Sequence, residues 1–259
     1  MAVSDAAAFP PFIRLVGHPL RWRLVTELAR SDLRVRELVG LVGEPQNLVS
    51  YHLRVLRSGG LVSAVRSSFD ARDSYYHLDL DRCAEGLTGT GAALHPALRM
   101  SPLPSPWPTD VAEPSVLFVC TGNSARSPMA EALVRHRAGD LVRVTSAGTQ
   151  PKDRIHPHVV RALREQYGID ISGQAPRPLD LASAGGFDRV VTLCDRAREA
   201  IPRADGRLPV HWSIPDPAGS SDGSRGGYQR VVSAAAEIDT RVRHLLPTLR
   251  SATQKEDRL

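Results

Sequence analysis

Apolar positions recur along this chain at two different periods. Between residues 19 and 57 the spacing is helical. Leu20, Leu24, Val25 and Leu28 make one face of a helix predicted over Pro19–Arg30, and Leu38, Val39 and Val42 make one over Val35–Val42. Gly43 interrupts the pattern, and Pro45, favoured in a first helical turn, opens a third helix through Arg57. Its inner face reads Leu48, Val49, Leu53 and Leu56, and its outer face Gln46, Asn47, Ser50, Tyr51, Arg54 and Arg57. His52 fits a packing position as well as the outer face. Gly59-Gly60 stops the helix. The segments LVSAVR (61–66) and SYYHLDL (74–80) then read as two strands around a Phe69–Asp73 turn. Helix, tight turn, helix and hairpin together predict a mainly α winged helix-turn-helix.

Further on the pattern changes. SVLFV (115–119) is a continuous apolar run, as expected of a strand buried on both faces. Helical spacing follows over Pro128–Arg137, then a strand over 141–148, a helix over His158–Tyr167 and a strand over 188–194. Tyr228–Leu246 is a long helix with Val231, Val232, Ala235, Ile238, Val242 and Leu245 inside. Such alternation predicts an α/β three-layer domain with a parallel sheet. Between the halves, six prolines fall between Pro96 and Pro114. They fix φ and remove donors, so this stretch reads as a semi-rigid linker. The expected organisation is a DNA-binding domain at 1–95, a linker at 96–114, the α/β domain at 115–250 and a polar tail at 251–259.

Composition narrows the class. The 259 residues are 42% hydrophobic and 24% charged, an ordinary globular mix. No apolar run approaches the length of about 18 residues that a membrane span needs. The N-terminus lacks the basic-then-apolar pattern of a secretion signal. Three cysteines, Cys83, Cys120 and Cys194, cannot build a disulfide framework, and a reducing cytoplasm suits them. The net charge of +5 is spread thinly. Residues 1–80 carry ten Arg against eight acids, and no segment is a polycation. Charge alone selects no partner.

The most informative stretch is VLFVCTGNSARSPMAEAL (116–133). A buried strand ends at Cys120, a loop follows, and a helix begins near Ser127. That layout aims the backbone N–H groups of Thr121, Gly122, Asn123, Ser124 and Ala125, with a positive helix end, at one oxyanion. The same field favours Cys120 as its thiolate. Arg126 offers a bidentate contact, Ser127 a hydroxyl to the sulfur, and Asn123 a hold on the loop. The plain alternative is a buried strand-end cysteine beside a coincidental arginine.

The C-x5-R-S pattern between strand and helix resembles the low-molecular-weight tyrosine phosphatase family and its relatives, the arsenate reductases. The pieces SAGTQP (146–151), GIDIS (168–172), VVTLCD (190–195) and HWSIPDPAG (211–219) match in order. The resemblance implies Cys120 as nucleophile and Asp216, of the Asp-Pro pair, as general acid. It leaves three functions open: an arsenate reductase, a protein-tyrosine phosphatase, or an oxyanion sensor without turnover. Ala218-Gly219 after the Asp-Pro pair, His211-Trp212 before it and Cys194 at the reductases' second-cysteine position favour the reductase. Such an enzyme binds no cofactor and draws electrons from a thioredoxin-type or low-molecular-weight thiol. The third cysteine of the intramolecular relay is missing around Ala200–Pro202, and Ala125 replaces a second loop cysteine. An external thiol donor is therefore the simpler expectation.

GHPLRWRLVTELA (17–29), NLVSYHLRVLRSGGLV (47–62) and the SYYHLDL strand resemble ArsR-type dimeric bacterial repressors. The resemblance implies a homodimer, joined through the N-terminal domain, on an inverted-repeat operator in double-stranded DNA. Gln46, Asn47, Ser50 and Tyr51 become candidate base readers, and Arg54, Arg57, Arg66 and Arg72 candidate phosphate contacts. No cysteine lies on Val35–Gly43, where metal-sensing members often carry a pair, so no metal site is expected. Cys83 alone reads as a small hydrophobe in a dimerisation helix.

Overall fold

The computed structural model describes residues 9–95, 98, 113–201, 209–218 and 225–256. The chain divides into two compact units between Ser105 and Pro106. That division falls in the proline-rich stretch. Residues 96–97 and 99–112 of the expected linker lie outside the described residues.

The first unit runs α1 (Pro11–Val16), α2 (Pro19–Leu28), β1 (Leu33–Arg34), α3 (Val35–Val42), α4 (Gln46–Ser58), β2 (Val62–Arg66), β3 (Ser74–Leu78) and α5 (Leu80–Leu94). Pro19 fills the first helical position of α2, where its missing N–H costs nothing, and His18 Nδ1 accepts from Leu20 N at 3.1 Å. Gly43 ends α3 at φ 68°, a left-handed conformation that glycine adopts without strain. The tight turn to α4 follows. Leu20, Leu24, Leu28, Leu38, Val49, Leu53 and Leu56 close the core between the helices.

On α4 the structure corrects one position of the periodic reading and resolves another that was open. Leu48 is 38% exposed, and His52 is buried. Val49, His52, Leu53 and Leu56 share one stripe at spacings of three and four, whereas Leu48 lies about 100° round the helix from Val49. The hairpin is a three-stranded antiparallel sheet in the order β1-β3-β2, with Val62 opposite Leu78 and Arg66 opposite Ser74. The expected 74–80 strand stops at Leu78, because Asp79 Oδ1 accepts from Arg82 N at 2.9 Å and starts α5.

The second unit runs β4 (Ser115–Cys120), α6 (Arg126–Ala138), β5 (Arg143–Gly148), α7 (Pro157–Tyr167), α8 (Leu181–Ala184), β6 (Arg189–Thr192), α9 (Asp195–Ala200), β7 (Val210–His211) and α10 (Arg225–Glu256). The four strands are parallel in the order β5-β4-β6-β7, and every residue of β4 is buried. Helix α6 packs on β4 and β5, and α10 packs on α6 and α7. Three boundaries are corrected. Helix α6 opens at Arg126, ahead of Ser127. A 3-10 turn over Gly139–Leu141 delays β5 to Arg143. Helix α10 extends past Leu246, through Pro247, to Glu256, so residues 251–256 of the expected tail are helical. Leu249, 2% exposed, continues its buried stripe. Residues 257–259 lie outside the described residues.

Parallel strands carry their C-terminal ends to one edge of the sheet, where open α/β folds bind ligands. Here that edge collects Cys120 at the end of β4, Cys194 beyond β6 and the 212–216 segment after β7.

Candidate functional site

Between β4 and α6 the chain makes a loop, Thr121–Ala125, whose carbonyls are occupied on one side. Cys120 O accepts from Thr149 N at 3.1 Å, Thr121 O from Gln150 N at 2.8 Å, Gly122 O from Lys152 N at 2.9 Å and Ser124 O from His156 N at 2.9 Å. A trans peptide holds the next residue's N–H opposite its carbonyl. The amides of Thr121, Gly122, Asn123 and Ala125 therefore face away from the 149–156 segment, as donors of an anion nest do. Gly148 makes the close approach feasible: a Cβ there would meet Thr121 O at 2.7 Å and Asn123 N at 2.9 Å. Asn123 adopts φ 41°, the left-handed region that asparagine tolerates. Its Oδ1 accepts from Arg177 N at 2.7 Å, and its Nδ2 donates to Ser127 Oγ and Ser146 Oγ, each at 2.9 Å.

Cys120 is 2% exposed, and its Sγ lies 3.0 Å from Ser127 Oγ. Arg126 is buried at the start of α6. Its Nη1 donates to Ile214 O at 3.0 Å, and its Nη2 is 3.6 Å from Asp216 Oδ1. Nε is buried with no hydrogen-bond partner among the described residues. The fork formed by Nε and Nη2 is the edge a guanidinium offers to a tetrahedral oxyanion. Asp216 is exposed and accepts from Ala218 N at 3.2 Å. Gly219 lies outside the described residues. His156 feels the same mouth: burial, then the charges of His158 and Lys152, hold it below the ordinary imidazole range, against the pull of Asp216.

Cys194 is the N-cap of α9, buried, with Thr121 Oγ1 3.3 Å from its Sγ. Beside it His211 Nε2 meets Asp195 Oδ1 at 3.0 Å, and Ser213 Oγ donates to the same oxygen at 2.8 Å. That buried cluster fixes the segment leading to Asp216. Sequence reasoning missed it, although VVTLCD and HWSIPDPAG both contain its members. It also missed Glu131 and Arg177, for which a chain this rich in arginine gives no signal. Among the described residues no three His, Cys, Asp or Glu side chains converge on a common point, and no helix is long and apolar enough to cross a membrane.

On the first unit, Gln46, Asn47, Tyr51, Arg54 and Arg57 are exposed on α4, and Ser50 is half-buried. Arg66 ends β2 and donates to Ala71 O at 2.5 Å across the turn. Arg72 forks onto Asp70 at 3.0 and 3.1 Å, and these bonds hold the Asp70 carboxyl below the usual range. His52 lies 4.3 Å, ring to ring, from His18. Burial, with the His18 and Arg21 charges, pushes it below the ordinary imidazole value. Cys83 on α5 is half-buried, and burial raises its thiol to about 11.

Comparison with known proteins assigns both halves. Residues 115–256 match the family described as low molecular weight phosphotyrosine protein phosphatase, and residues 18–64 match the bacterial regulatory proteins of the arsR family. An arsenate reductase of Bacillus subtilis (strain 168) is 36% identical over 137 residues, covering 51% of this chain and 95% of that protein. An arsenate reductase of Brevibacillus brevis is 41% identical over 106 residues, covering 40% of this chain and 78% of that protein. Among solved structures, the arsenate reductase of Archaeoglobus fulgidus is 36% identical, covers 51% of this chain and 98% of its own, and has a TM-score of 0.42.

Proposed function

This chain belongs to the low-molecular-weight phosphotyrosine protein phosphatase family, and from that premise we propose that residues 115–250 reduce arsenate to arsenite while residues 1–95 hold the chain on DNA. One observation carries the enzymatic half: the Arg126 Nε is buried with no hydrogen-bond partner among the described residues, at the start of the helix that follows the Cys120 loop, whose carbonyls are turned to the 149–156 segment. A buried N–H left unpaired costs stability unless an oxyanion takes it.

The chemistry follows from these groups. The loop amides and the Arg126 fork hold the oxyanion, and Cys120 attacks the arsenic in line. Asp216 gives a proton to the departing oxygen, and Ser127 steadies the sulfur. A second thiol then attacks the Cys120 sulfur. The S–As bond breaks, its electron pair stays on arsenic as arsenite, and the two sulfurs are left as a disulfide. The reductant is a thiol, either Cys194 or an external thioredoxin-type or low-molecular-weight thiol. Reductases among the relatives support this over hydrolysis of a cysteinyl-phosphate.

The N-terminal unit carries an ArsR-type helix-turn-helix. In this reading it binds an inverted repeat as a homodimer, with α4 in the major groove. Gln46, Asn47, Ser50 and Tyr51 read base edges, and Arg54, Arg57, Arg66 and Arg72 contact phosphates. The three free thiols suit a reducing cytoplasm.

The test is to incubate the purified chain with arsenate plus candidate thiols and, separately, with an aryl phosphate. Arsenite release with little aryl phosphate turnover supports the proposal. Hydrolysis alone makes it a phosphatase, and neither activity leaves an oxyanion-sensing regulator.

A further inference from the structure

Arg177 lies between α7 and α8, outside every helix and strand, with its side chain half exposed. Yet bonds from the loop converge on it. Its backbone N–H donates to Asn123 Oδ1 at 2.7 Å, and its carbonyl accepts from Gly148 N at 2.8 Å. Its Nε donates to Ser146 O at 3.1 Å, and its Nη2 donates to Glu131 Oε2. That same carboxylate oxygen accepts from Ser146 Oγ at 2.6 Å.

We propose that Arg177 is a positioning residue for Cys120, acting through Glu131, Ser146 and Asn123 to turn the Ser127 hydroxyl toward the sulfur. The proposal rests on the reading of Cys120 as nucleophile. Glu131 is 1% exposed, and a carboxylate taken so far from water persists as an anion only between charged partners. Arg177 serves Oε2, and Arg135 Nη2 serves Oε1 at 2.8 Å. An ionised Glu131 obliges Ser146 to donate to it, so the Ser146 oxygen is left to accept from Asn123. The Arg177 N–H on Oδ1 fixes which end of the carboxamide carries the donors. Asn123 then spends its two N–H bonds on Ser146 and Ser127. Ser127, already accepting, points its own proton at Cys120 Sγ, 3.0 Å away, in preference to Ala147 O at 3.4 Å. The guanidinium on Glu131 sets the direction of the Ser146 proton, and the backbone N–H of Arg177 sets the Asn123 carboxamide that carries the order on to Ser127. The charged groups at the near end, Arg126 and Asp216, lie on other segments and face each other at 3.6 Å.

The experiment measures alkylation of Cys120 by iodoacetamide, resolved by peptide mass spectrometry across pH, in the full chain. It needs no turnover, so a native chain inactive on arsenate and aryl phosphate would refute the enzymatic reading while leaving this result interpretable. Arg177→Ala keeps both backbone bonds. It should slow alkylation in mild acid about tenfold, moving the pH profile toward alkali, with the thermal transition retained. Arg177→Lys, which keeps the charge without the fork, should recover part of the rate, and added guanidinium ion should restore Arg177→Ala. Glu131→Gln should reproduce the loss, and Arg177→Ala should add little to it. A pH profile for Arg177→Ala that superposes on the native one, or losses that simply add in the double variant, overturns the proposal. Should Arg177→Ala lose its cooperative transition, Arg177→Lys decides alone: a native profile overturns the proposal, and a shifted one upholds it.

Discussion

Thr121 Oγ1 lies 3.3 Å from Cys194 Sγ, so the first residue of the loop after β4 touches the second thiol of the unit. The parallel pairing of β4 with β6 brings this about, by delivering both strand ends to one edge. If Cys194 resolves the Cys120 adduct, Cys194→Ser should stop multiple-turnover arsenate reduction while aryl phosphate hydrolysis persists. Mass spectrometry of the arsenate-treated native chain decides. A Cys120–Cys194 disulfide supports the relay, and a small-thiol adduct on Cys120 alone assigns the electrons to an external donor.

Cys120→Ser replaces a thiolate with a hydroxyl of nearly the same size. Both reduction and hydrolysis should fall by several orders of magnitude. The thermal transition should change little, since Ser127 still finds a hydrogen-bond partner. Substantial residual turnover in the variant would sink the assigned nucleophile.

Cys83 should be slow to react at neutral pH, because burial holds its thiol at about 11. Only the thiolate alkylates, so labelling of Cys83 should rise about tenfold per pH unit below that value. Peptide-resolved iodoacetamide labelling reads this directly. A Cys83 that labels to completion at neutral pH as fast as a free thiol contradicts the burial argument.

His52 gives the first unit an acid weakness. Its folded value is lowered from 6.5, so as pH falls through that region the unfolded chain takes a proton that the folded chain refuses. Stability is therefore full above the unfolded value and is lost as pH drops toward the folded one. His52→Phe, which fills the same buried stripe without titrating, should flatten this loss in melts of the full chain at neutral and mildly acid pH. An equal acid loss in both proteins would assign it elsewhere.

On DNA, Arg54→Ala should weaken binding to every sequence and reduce the salt dependence, because a phosphate contact carries no base information. Gln46→Ala should cost about 1–3 kcal/mol on the cognate repeat and less on variants at the base it reads. Competition gel shifts at two salt concentrations separate the two patterns. A uniform loss for Gln46→Ala makes it a backbone contact.

Much of this protein was legible in one dimension because periodicity and local chemistry are one-dimensional facts. The apolar run before Cys120 needed a strand buried on both faces, and β4 is buried at every residue. Gly43 and Pro45 marked the turn before α4 because glycine takes the left-handed φ of 68° without strain and proline cannot continue a preceding helix. Cys120, Asn123, Arg126 and Ser127 are near neighbours in sequence, so their spacing already placed them together on one loop and the helix start after it. Tertiary structure decided what spacing cannot encode. Leu48 left the inner face and His52 took its packing position because the stripe of α4 is set by what α2 and α3 present to it. Helix α10 outran its expected end because Leu249 had a core to enter. Glu131, Ser146 and Arg177 are separated along the chain, and each alone is an ordinary polar residue. They acquire a role only when the parallel sheet and the return of the chain after α7 bring them to the back of the loop, where a buried carboxylate must find its cations or not form.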